Sequence, residues 1–231
     1  RLLPARKDGR LVRRARSGDD RGSMTEGRLR GPVWLVGTAI AYAVAYHLGL
    51  LFIDPTTRTS TVWPASGVAL AALVLTPRPR RRQLYVTLGA TGVLSNLLAF
   101  GTLHTLRDAA AGVGALLANL LELGLAGWFL DRSSRRLTFE TVREVSALLC
   151  AALLACMAGS AIGSGSIALA HGVEFWATQR NFWVGNGLGV LMLVPLLVSW
   201  ARAERGSPDF RGLRLAEAVA FLVVWLVVAW L

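Results

Sequence analysis

The chain has 231 residues, 54% hydrophobic and only 17% charged, with a mean hydropathy of +0.49. A soluble domain carries roughly 25% charged residues, so the composition excludes an ordinary water-soluble globule and points to a membrane protein. The formal net charge of +11 does not indicate nucleic acid as a partner: 10 of the 25 basic residues precede Pro32, and most others sit in short runs between apolar segments. That is how orientation signals are distributed in a membrane protein.

Taken in order, the chain begins with a polar, basic stretch rich in Gly, Ser and Asp. Residues 1–32 are therefore expected to be a disordered N-terminal segment, and residues 33–231 the integral membrane domain. Met24, just before the first apolar stretch, offers an alternative start to the Arg at position 1.

Seven apolar segments follow: Val33–Ile53, Val62–Thr76, Leu84–Phe100, Ala109–Leu130, Glu144–Ala170, Phe182–Trp200 and Leu213–Leu231. The expected fold is all-α, a polytopic membrane helical bundle. With a cytoplasmic N-terminus, the inner stretches hold 22 basic residues, against three (Arg58, Arg107, Arg180) in the outer loops. This asymmetry predicts the N-terminus inside, and the loops Thr56–Ser60, Leu103–Arg107 and His171–Arg180 outside.

Segment two opens at Trp63-Pro64-Ala65-Ser66-Gly67. Proline is tolerated in the first helical turn, where its missing N–H would have no partner. Trp63 suits a membrane-interface anchor, and Ser66 and Gly67 permit close approach by a helix or ligand. The outward-facing N-terminus suits an anion as well as an empty helix start. Asn96, towards the outer end of segment three, is a further polar group at bilayer depth.

Segment four carries the residue around which the chain is organised. Glu122 lies in the apolar run Ala109–Leu130, where a carboxylate is costly and a functional role is the default reading. Helical spacing puts Gly112, Ala115, Asn119, Glu122 and Ala126 on one stripe, away from a leucine-rich face suited to lipid. A protonated Glu122 that merely bonds a neighbouring helix is the structural alternative.

In segment five, Gly159 and Gly163 form a small-xxx-small pair suited to helix packing. Ser164 lacks a nearby base or a hydrolase signature, so no catalytic residue is predicted. Cys150 and Cys156, six positions apart in one helix, are expected to be buried small residues and not a disulfide. The three histidines suggest no metal cluster. Segment six has Gly185 and Gly189 flanking Asn186, with Trp183 and Trp200 at its interfaces and Pro195 as an expected kink.

These residues in this order, with Trp63 to Leu70, Asn96, Ala118 to Glu122, and Phe182 to Gly189 with Pro195-Leu196, resemble a membrane-associated sensor domain of the first type, in the MASE family. The resemblance covers roughly residues 33–231. It implies about eight spans and a sensor module placed before a cytoplasmic histidine kinase, diguanylate cyclase or phosphodiesterase domain in bacteria. Where that family commonly has an acidic residue, this chain has Asn186, which leaves Glu122 as the ionisable side chain deep in the expected bundle.

The expectation is therefore a non-enzymatic, multi-pass sensory input domain of the bacterial inner membrane, with no cofactor and no metal. Its candidate ligand-binding residues are Trp63, Pro64, Ser66, Gly67, Asn96, Asn119, Glu122, Trp183 and Asn186. The expected partners are the lipid bilayer, a small-molecule signal, a cytoplasmic output domain in the same chain beyond residue 231, and a second copy in a homodimer. The alternative is a transporter or the substrate-binding membrane subunit of one, since short helices around a buried carboxylate suit that too.

Overall fold

The computed structural model describes residues 32–100, 105–134, 137, 139 and 141–202. The chain divides into two compact units, Arg1–Gly37 and Thr38–Leu231; only the first turn and a half of helix α1 is described in the former. The expected disordered segment and the seventh apolar segment, Leu213–Leu231, lie outside the described residues.

The architecture is an all-α membrane bundle with one small hairpin. Helix α1 runs over Pro32–Leu50. Strands β1 (Ile53–Asp54) and β2 (Thr59–Ser60) pair antiparallel, with Ile53 opposite Ser60. Helix α2 covers Pro64–Leu75, and a 3₁₀ turn at Arg78–Arg80 leads into α3, Arg81–Phe100. Helices α4 (Leu106–Ser133), α5 (Val142–Cys150), α6 (Cys156–His171) and α7 (Phe175–Arg202) complete the described residues.

Among the described residues, five helical stretches are long and apolar enough to cross a bilayer: α1, α3 with its preceding turn, α4, α5 with α6, and α7. Segment two differs from the span expected for it. At 12 residues α2 is about 18 Å long, short of the roughly 30 Å hydrocarbon core. It is an interior helix instead, with Pro64, Ala65, Ser66, Gly67 and most residues to Leu73 buried. Such a piece survives at bilayer depth because neighbouring helices, not lipid, surround its ends.

The sequence explains how α2 is enclosed. Its most extensive partner is α7, and it also packs on α4. A side chain added at Gly67 would collide with the carbonyl of Gly189, and one at Gly189 with the carbonyl of Trp63. Two glycines thus let the backbones of α2 and α7 touch. On the other side of the bundle α4 packs most extensively on α6. There Gly159 fits against the Ala118 carbonyl and Glu122, while Gly163 fits against Phe182 and Ala118. The small-xxx-small reading of this segment holds.

Segment five is one 30-residue stretch, Val142–His171, interrupted by a π-helical turn at Ala151–Ala155. Cys156, just after that turn, is fully buried, whereas Cys150 is only partly so, contrary to the expectation that both are buried; both thiols are free. The outer loop expected at His171–Arg180 is mostly helical. Helix α6 stops at Gly172, whose φ of +70° suits glycine. The Glu174 carboxylate then accepts from the backbone N–H groups of Trp176 (2.8 Å) and Ala177, which starts α7 about two turns earlier than the apolar pattern suggested. Helix α7 continues through Pro195.

The two ends of the bundle differ in charge. At one end Arg81 at the start of α3 makes a two-pronged bond to Asp131 near the end of α4, at 2.5 and 2.9 Å. Arg78 adds a contact at 3.6 Å, Arg132 lies 4.1 Å over the Trp128 ring, and Arg143 donates to the Arg132 carbonyl. The β-hairpin and the α6–α7 connection meet at the opposite end, where Arg58 reaches His171.

Candidate functional site

The site is built where α2 and the hairpin meet α4 and α7. The hairpin is held rigidly. The Asp54 carboxylate accepts from the Thr56 N–H at 2.9 Å and the Thr57 hydroxyl at 3.0 Å, closing the turn as aspartates often do. The Thr56 N–H, with help from Thr57, holds the Asp54 carboxyl below its ordinary value. Arg58 closes the turn at φ +56°, a conformation that costs a non-glycine residue about 1–2 kcal/mol.

Helix α7 fixes this hairpin from the side. The Asn181 amide donates to the Thr57 and Thr59 hydroxyls and to the Thr59 carbonyl, at 2.9–3.1 Å. The Trp63 N–H donates to the Gly185 carbonyl at 3.0 Å. The entry of α2 and the first turns of α7 are therefore neighbours, as two stretches with small residues suggested.

Beneath the hairpin lies a cavity of about 580 Å³, within the range typical of small-molecule sites. Its walls include Trp63, Asn96, Asn119 and Asn186, all read as candidates from the sequence, with Gly112 and Ala115 of the predicted α4 stripe. Apolar surface comes from Tyr46, Phe100, Ile167 and Phe182. Tyr46 packs edge-on against Trp63, 4.9 Å between ring centres, and accepts from the Asn96 amide at 3.1 Å. Trp63 is thus part of a cavity wall.

Glu122 lies three residues further along α4 than Asn119 and is not among the walls of this cavity. It is 3% exposed and accepts from the Asn186 amide at 2.5 Å. The Ser66 and Cys156 side chains also lie near its carboxyl. A second cavity, about 20 Å³, lies beside it, lined by Tyr42, Ser66, Asn119 and Glu122 among apolar side chains. Asn119 lines both cavities. The stripe reading of α4 holds in part: Glu122 and Ala126 are buried and Leu117 on the leucine face is exposed, but Leu116 and Leu120 of that face line the small cavity and do not face outward alone.

Three candidates have other roles. Pro64 and Gly67 are buried at the α2–α7 crossing and line neither cavity. Trp183 turns away from the site: its indole N–H donates at 3.0 Å to the Leu153 carbonyl in the π-helical turn. Gly187, one turn further on, lets α7 lie against the Ala152 carbonyl. Helix α7 therefore recognises the π turn with one face and α2 with another.

The hairpin end also gathers charged groups that no sequence motif marks. The Arg58 guanidinium lies 3.3 Å from His171 Nδ1, and His171 Nε2 is 3.8 Å from an Asp108 carboxylate oxygen. All three line the larger cavity. They come from the hairpin, α6 and α4, so no local spacing could have joined them. Among the described residues no group of three or more His, Cys, Asp or Glu could hold a metal ion.

Comparison with curated proteins and with solved structures gives no significant match. The sequence model of the MASE1 family, in contrast, matches residues 32–231, most of the chain and every element that builds the cavities. The chain belongs to the MASE1 family, whose members are membrane sensory input domains.

Proposed function

We propose that this domain receives a small-molecule signal in the larger cavity and passes it to a cytoplasmic output domain in the same chain, a histidine kinase or a cyclic-di-GMP enzyme. The supporting observation is the position of the 580 Å³ cavity, with Asn119 and Asn186 at its base. A molecule resting there touches α4 and α7 at the level where the Glu122–Asn186 bond joins them. Ligand binding that prefers one arrangement of the two helices biases the population of that arrangement, and a helix shift is a common way to carry such a bias. In this reading the domain itself performs no catalysis.

The orientation follows the charge. The arginine-rich end faces the cytoplasm of the bacterial inner membrane and the hairpin end faces outward, so that the larger cavity is open to signals from outside. The domain has about seven membrane segments, with α2 enclosed among the spans, and signalling through paired output domains calls for a homodimer.

Blocking the cavity tests this. Ala115→Trp, in the full-length protein with its own output domain, fills the space without touching Glu122. Output activity is compared with wild type across growth media, alongside membrane abundance. The expected result is normal abundance and an output fixed at one level. A full response from Ala115→Trp would refute the reading.

A further inference from the structure

Buried carboxylates are ordinarily accompanied by a positive partner, and among the described residues no Lys, Arg or His makes an ion pair or hydrogen bond with Glu122. Among the described residues, no Lys, Arg or His lines the small cavity beside it. The groups that face the carboxyl are the Asn186 amide from α7, the Ser66 hydroxyl from α2, the Cys156 thiol from α6 and the Tyr42 phenol from α1. None of these carries positive charge.

Two further observations concern the same place. The cavity of about 20 Å³ is large enough for one sphere of water radius, which needs roughly 10–15 Å³, and too small for an organic molecule. Asn119, which lines it, has its Oδ1 buried without any hydrogen-bond partner. Buried acceptors of that kind are uncommon and call for an explanation such as a bound ion or water. A carboxylate without a counter-charge and an amide oxygen without a donor thus share one hole of single-atom size.

We propose that this hole is a binding site for one dehydrated monovalent cation, Na⁺ or K⁺. The ligands are the Glu122 carboxylate, Asn119 Oδ1 and the hydroxyl oxygens of Ser66 and Tyr42. An all-oxygen set selects a hard cation over a transition metal. A single carboxylate balances a charge of +1, whereas Ca²⁺ takes 6–8 oxygens and Mg²⁺ keeps most of its water. The ion supplies the missing counter-charge and the missing partner for Asn119 together, and it joins α1, α2 and α4 at a point where α7 already holds Glu122. Because Asn119 also lines the larger cavity, its side chain stands on the route by which an ion enters. The site does not depend on the larger cavity being a signal pocket.

The test uses the full purified chain in detergent and needs no output activity. Thermal unfolding is followed by tryptophan fluorescence while NaCl or KCl replaces choline chloride at constant ionic strength. A ligand that binds the folded state alone raises the midpoint saturably, so one of the two salts is expected to give a saturable rise. The salt that gives it identifies the ion. Protons compete for the same carboxylate, so half-saturation is expected at higher salt when the pH is lowered. Asn119→Leu and Glu122→Gln are expected to abolish the saturable rise. Identical midpoints of wild type in Na⁺, K⁺ and choline would overturn the proposal, as would a midpoint that responds to pH and to neither ion. The wild-type titration decides even if a variant fails to fold.

Discussion

The side-chain amide of Asn186 in α7 donates to the carboxylate of Glu122 in α4 at 2.5 Å, across 64 positions of sequence. Both residues are buried to within 3% of full enclosure. The bond joins the helix that carries the polar stripe to the helix that holds α2, the hairpin and the π turn. It is a polar link inside the bundle, with Asn186 lining the larger cavity and Glu122 the smaller one.

Removing one partner is expected to be worse than removing both. Asn186→Leu leaves a buried carboxylate short of its donor and should lower stability by about 1–3 kcal/mol, whereas the double change Asn186→Leu with Glu122→Leu should recover part of that loss. Unfolding of the purified single and double variants in detergent measures the coupling. Strictly additive effects would mean that the bond contributes nothing of its own.

The glycines divide into two groups by what surrounds them. Gly189→Ala drives a methyl group into the Trp63 backbone, which cannot rotate aside, and should cost about 1–3 kcal/mol. Gly89 in α3 has nothing within 4 Å of the added carbon, so Gly89→Ala should be neutral or stabilise by up to about 1 kcal/mol. Melting temperatures of the two variants, measured side by side, check the contrast.

Trp183→Phe keeps an aromatic ring but removes the donor to the Leu153 carbonyl. The expected loss is about 1 kcal/mol, with faster amide exchange confined to Ala151–Ala155 and its flanks. Hydrogen exchange read by mass spectrometry resolves that region. Unchanged exchange there would show that water or another group satisfies the carbonyl equally well.

Orientation is checked by labelling. With Cys150 and Cys156 replaced by alanine, single cysteines are placed at Thr56 in the hairpin and at Gln83 near the start of α3, both exposed positions. An impermeant thiol reagent should modify Thr56→Cys in intact cells and Gln83→Cys only after the membrane is opened. The reverse pattern would invert the topology.

Much of this was legible in the residues themselves. The membrane class and the helical character of the bundle follow from composition and run length, because hydrocarbon forces the backbone to satisfy its own hydrogen bonds. The interior position of Glu122 follows from the period of the α4 stripe, and the contact of the α2 entry with α7 was suggested by small residues in both. The bond of Trp183 to the Leu153 carbonyl was not legible, because a tryptophan near a helix end looks the same whether or not a released carbonyl lies within its reach. The short, enclosed α2 was misread because apolar composition alone does not distinguish lipid from protein as its surroundings.

The sequence by itself determined that the chain is an all-α membrane bundle and that Glu122 of α4 turns inward, since both depend on interactions repeated every few residues. Tertiary structure alone decided that Glu122 meets Asn186, that Arg58, Asp108 and His171 gather at one cavity wall, and that Asn119 stands between two cavities. These juxtapositions depend on how glycines let α2 approach α7 and α6 approach α4. The register of those crossings is set by packing between segments distant in sequence, to which local periodicity is blind.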